Sequence, residues 1–162
     1  MYPRFQMNNT TRLVANFELY VRSSYWNGEA FWFEWGAKAE SNNDKLWSGG
    51  YAFALGRKLD YYYSDNREFQ LWFNHQIIKI VPLSDFGYDK WISVVLDWNN
   101  ENHGAVTVWI DGVLVFEVVD QPRILESTSF VGFGAWTGNQ YKNGVSIKNI
   151  KIYGNGAELA EF

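Results

Sequence analysis

The stretch from Trp91 to Asp120, WISVVLDWNNENHGAVTVWIDGVLVFEVVD, constrains the fold more than any other part of the chain. Ile92, Val94, Leu96 and Trp98 alternate with Ser93, Val95 and Asp97, the period of two of a half-buried strand. After the polar cluster Asn99 to Gly104, Val106, Val108 and Ile110 repeat the pattern. Asp111-Gly112 then supplies the two positive-φ positions of a type I′ hairpin turn, and Val113 to Val119 reads as the return strand. A meander of this kind needs a second apolar layer to cover it.

The rest of the chain can supply that layer. Leu13, Ala15, Phe17, Leu19 and Val21 form a half-buried strand, and EAFWFEW from Glu29 to Trp35 is apolar on both faces. Further strands are expected over 51–55, 67–74, 77–81, 130–136 and 145–153, with residues 1–10 an irregular lead-in. Longer connections fall at 37–50, 56–66, 121–129 and 137–144. About ten strands and no convincing helix predict an all-β domain of two packed antiparallel sheets.

Composition narrows the function classes. Aromatics make up 19% of the 162 residues, more than a sandwich core needs, so some of them are candidates to stack on a ring-shaped ligand. The net charge is −4 and the basic residues form no stripe, so nucleic acid is not an expected partner. No apolar run reaches the roughly 18 residues of a membrane span. The opening MYPRFQMNNTTR shows no signal-peptide core. With no cysteine, disulfides, thiolate metal sites and cysteine nucleophiles are excluded.

Four segments in order resemble the legume (L-type) lectins. They are Asn27-Gly28-Glu29-Ala30-Phe31-Trp32-Phe33, Gly49-Gly50-Tyr51-Ala52-Phe53, Glu68-Phe69-Gln70-Leu71-Trp72-Phe73-Asn74 and Val131-Gly132-Phe133-Gly134-Ala135-Trp136-Thr137-Gly138. The resemblance implies a concanavalin A-like jelly-roll sandwich over residues 1–162, a lectin-like domain that a larger secreted or surface protein could carry. It also implies a glycan or polysaccharide partner, bound by loops at one end of a concave sheet. Asn27 stands where the family has a sugar-binding Asp, Gly50 would offer its backbone N–H, and Asn74 ends the family's metal strand. Trp72 would stack on the sugar, and Asn139 lies in the loop that sets specificity.

The metal strand departs from the family pattern. Gln70 replaces a metal-binding carboxylate, and the chain runs from Asn74 straight to His75, Gln76 and Ile77 without the further Asp and His. Calcium takes six to eight oxygens. Glu68 and Asn74, the candidate ligands that remain, would hold it poorly, so no cofactor is expected.

The residues themselves offer a sugar-gripping groove independently of the family. If the strands of Trp32 and Trp72 pair closely, the two rings flank Glu34, Glu68 and Gln70, an aromatic platform with polar acceptors. A core or outer-sheet role for these Trp is the competing reading. For Glu34 and Glu68 that reading is a solvated or hydrogen-bonded surface residue. An enzyme is not expected. A glycoside hydrolase or lyase would rest on Glu34 and Glu68, but neither strand repeats the Glu-x-Asp-x-x-Glu spacing of glucanases that share the fold. The expected function is therefore non-catalytic carbohydrate binding. The alternative is an interaction or assembly domain on the same fold.

Overall fold

The computed structural model describes residues 4–6, 10–23, 31–37, 50–57, 67–74, 76–101, 104–120, 130–135 and 145–161. Twelve strands lie among them: β1 (Arg4–Gln6), β2 (Arg12–Val21), β3 (Phe31–Ala37), β4 (Tyr51–Arg57), β5 (Arg67–Phe73), β6 (Gln76–Pro82), β7 (Trp91–Asn99), β8 (Ala105–Ile110), β9 (Val113–Val118), β10 (Phe130–Ala135), β11 (Val145–Gly154) and β12 (Ala157–Glu161). The single helical element among the described residues is a 3-10 turn at Leu83–Asp85. The strands form two six-stranded sheets, β1-β10-β3-β4-β5-β6 and β12-β11-β2-β7-β8-β9, and every pairing is antiparallel.

The alternation read from the sequence decides which side chains meet between the sheets. Phe31, Phe33, Trp35, Tyr51, Phe53, Leu55, Phe69 and Leu71 are buried on the inner face of the first sheet. Leu13 to Val21, Ile92 to Trp98 and Val106 to Ile110 answer with their alternate residues from the second. Phe17 is the clearest inter-sheet contact, its ring lying 5.5, 5.8 and 6.3 Å from those of Phe31, Phe33 and Phe53. Tyr51 stacks on Trp35 at 5.4 Å, and burial raises its phenol well above the ordinary tyrosine pKa, so it is neutral in the core.

The central meander matches the expectation closely. Asp111 has φ 49° and Gly112 φ 75°, the two positive values a type I′ turn requires. Asp111 does more than turn the chain: its Oδ1 accepts the Ser93 N–H at 2.9 Å, tying the hairpin tip to the start of β7.

Two strands were not expected. β1 falls in what reads as a lead-in, and β12 follows the Asn155-Gly156 turn, where φ is 51° and 81°. Asn155 also accepts the N–H groups of Thr11 and Arg12 through its side chain, so the last hairpin is bound to the start of β2. The expected connections at 121–129 and 137–144 lie outside the described residues.

Candidate functional site

β3 and β5 are not neighbours, contrary to the close pairing considered from the sequence; β4 runs between them. The register nevertheless sets the candidate side chains in two adjacent rows on the outer face of the first sheet. One row runs Trp32, Ala54, Gln70 and the other Glu34, Ala52, Trp72. On the far side of β3, Gly134 and Gly132 of β10 oppose Trp32 and Glu34. Small residues therefore flank Trp32 and Glu34 on both sides, which leaves room for two large side chains.

This outer face is shielded. Trp32 is 4% exposed, Glu34 1%, Gln70 4% and Glu68 8%. Glu34 and Glu68 are therefore buried side chains, which corrects the reading of them as solvated surface residues. Burial of a polar group is tolerated only when it is hydrogen-bonded, and β5 provides for this along its own face. Gln70 Nε2 donates to Glu68 Oε1 at 2.9 Å, and Trp72 Nε1 donates to Gln70 Oε1 at 2.9 Å. The ladder fixes the Gln70 amide orientation and holds the indole of Trp72 by its edge.

Trp72 is half-buried at the end of the ladder, opposite Ala52 and Ile77. Past it, Asn74 is exposed at φ 44°, directly after Phe73, whose ladder partner is Gln76. The Asn74 N–H donates to the Gly50 carbonyl at 2.9 Å. Gly50, Trp72 and Asn74 thus come together at one corner of the sheet. Trp32, Glu34, Gln70 and Glu68 extend from that corner beneath the shielded face. Asn27 and Asn139 lie outside the described residues.

The same geometry decides two chemical questions. Glu68 lies near the start of β5 and Asn74 follows its last residue, so the extended run from Glu68 to Phe73 alone spans roughly 16 Å. That separation does not favour a calcium ion shared between them. Among the described residues no three His, Asp or Glu side chains are grouped to hold a metal. Glu34 stands level with Trp72, two strands across and four residues along from Glu68. Their backbones are therefore roughly 16 Å apart by sheet spacing. Glycosidase carboxyl pairs work at about 5–9.5 Å. The backbone separation of Glu34 and Glu68 exceeds that carboxyl range.

The Gly50–Asn74 junction is the part of the site that residue-by-residue reasoning missed. It depends on the β4–β5 register, which brings the residue before one strand beside the residue after the next.

No protein-family model matches the chain, and no curated protein matches it. Solved structures do match in fold. Sheep galectin-11 in complex with glycerol aligns with a TM-score of 0.55 at 8% identity, over 94% of this chain and 97% of that one. The metal-free carbohydrate recognition domain of Emp46p gives 0.60 at 10% identity, over 90% and 70%. The alginate lyase Aly36B, in complex with an alginate tetrasaccharide, gives 0.56 at 13% identity, over 92% and 72%. These likenesses establish the fold: a concanavalin A-like jelly-roll sandwich.

Proposed function

We propose that this chain is a non-catalytic carbohydrate-binding module whose sugar site is the corner formed by Gly50, Trp72 and Asn74. The observation that carries the proposal is the Glu68–Gln70–Trp72 ladder, which holds an indole half-exposed beside an exposed Asn74. A fixed aromatic covers the apolar face of a pyranose, and an adjacent amide both donates to and accepts from its hydroxyls. Asn27 and Asn139 complete the proposal as candidates on the connecting segments, as does a single domain over 1–162 in a secreted or surface protein. A glycan or polysaccharide is the proposed partner, and binding does not require calcium. A glycan array probed with and without chelator tests this reading. Selective binding that survives chelator supports it, and no binding to any glycan removes it.

The shielding of Trp32, Glu34 and Gln70 favours a second reading, an interaction or assembly domain on the same fold without sugar binding. A covered face is not an open groove, and only the Trp72 corner distinguishes the two readings.

A further inference from the structure

The four edge strands of the sandwich are protected unequally. β1 is only three residues long, and β12 carries the exposed Glu158 and Glu161. β6 has Lys79 in its middle and ends at Pro82. β9 has neither Lys nor Pro, and Val113 and Leu114 are 57% and 47% exposed along it. Short strands, charge, proline and bulges are the usual devices that keep an edge from pairing with another chain; β9 has a bulge at Val115 and the single charge of Glu117, beside two exposed apolar residues. A cavity of about 460 Å³ lies beside this same edge, walled by Val81, Phe86 and Leu114, with Asp85, Asp111 and Lys90 also lining it.

We propose that the β9 edge and its adjoining cavity form a docking site for an extended peptide segment of a partner protein, alternately apolar and basic, that adds a strand to the second sheet. Strand addition draws its affinity from main-chain hydrogen bonds and its specificity from pockets that take alternate side chains. Among the described residues no strand pairs with the outer edge of β9, which offers the first, and the cavity offers the second. The charge pattern identifies the occupant. Asp111 precedes the strand, Glu117 lies exposed within it, Asp120 follows it and Asp85 lines the cavity, while Lys90 is the one base among the described residues that line it. A second copy of this chain fits poorly. It would bring a second set of the same exposed acids, Asp111, Glu117 and Asp120, to the edge, and like charges on facing partners oppose association.

The test is an NMR titration of the isotopically labelled full chain with a capped synthetic peptide of alternating Lys and Val, beside the same peptide with Glu in place of Lys. The Lys peptide should shift the amides of Val113 to Val118, slow their hydrogen exchange, and bind at least tenfold tighter than the Glu peptide. Leu114→Lys should abolish the shifts. Glu117→Lys, a change at an exposed side chain, should cut the preference for the Lys peptide several-fold while thermal melts stay unchanged. Equal binding of both peptides, or no β9 shift at millimolar peptide, overturns the proposal. So does β9 protection that rises with protein concentration alone, which would assign the edge to a second copy.

Discussion

On the outer face of the second sheet, Arg12 grips Asp97 through two nitrogens at 2.7 and 3.2 Å, with the Arg12 side chain more than half exposed. On the outer face of the first, Glu34, Glu68 and Gln70 are shut away from water and the last two are laddered along one strand. Trp91 and Trp72 differ in the same way. Trp91 of β7 has Lys148 Nζ 3.9 Å from its ring centre, so a cation occupies its face. Trp72 is gripped by its edge nitrogen. A solvated face can leave its polar groups to water, and surface ion pairs there contribute little. On a covered face an unpaired polar group is costly, and the Glu68–Gln70–Trp72 ladder pairs the polar groups along β5 there; the fixed geometry of that ladder is what a recognition site needs.

The largest effect should come from the core both sheets share. Phe17→Ala removes the ring that meets three aromatics of the opposite sheet. It should cost about 3–5 kcal/mol in urea unfolding. Next, Gln70→Leu should cost about 1–3 kcal/mol, because it leaves the Trp72 N–H and a Glu68 oxygen without their buried partner. Arg12→Ala on the opposite face should leave the urea midpoint unmoved. Equal losses from the two would erase the contrast between the faces.

Gly112→Val probes the turn of the meander. A Cβ there meets nothing within 4 Å, so the cost is the positive φ of the backbone, about 1 kcal/mol or more. An unchanged midpoint would show that the turn tolerates a β-branched residue at positive φ.

Asp89 supplies the smallest effect, read as a pH dependence. The Ser23 hydroxyl and backbone N–H hold its carboxyl below the ordinary value of 3.8. The unfolded chain therefore binds the proton more readily, and stability rises with pH across that interval. The contribution is complete above the ordinary value and is lost as pH falls through the folded one. Asp89→Asn should flatten this part of the acid-unfolding curve, and an identical curve would remove Asp89 from it.

The sandwich was legible because burial between two sheets follows a period of two, and Leu13 to Val21 and Ile92 to Trp98 keep that period without a break. Asp111-Gly112 was legible because its chemistry is local. Asn155-Gly156 carries the same kind of signal, and β12 could have been read from it. Short β1 has no such mark. The cover over Glu34 had a trace in EAFWFEW, apolar on both faces, but the burial of Glu68 left none in the alternation of its strand, since a glutamate on an outer face looks the same whether water or protein lies over it. The union of Gly50 with Asn74 was hidden for another reason, because it rests on the pairing of residues 24 positions apart in the sequence.

The central claim rests on Trp72, and one titration tests it most directly: a glycan that binds the intact chain is titrated into Trp72→Ala and, as a control, into Trp91→Ala, with each melt recorded. The account predicts binding weakened at least tenfold by Trp72→Ala, with less loss of stability than Phe17→Ala causes, and binding unchanged by Trp91→Ala. Full-strength binding by the Trp72→Ala protein would contradict it.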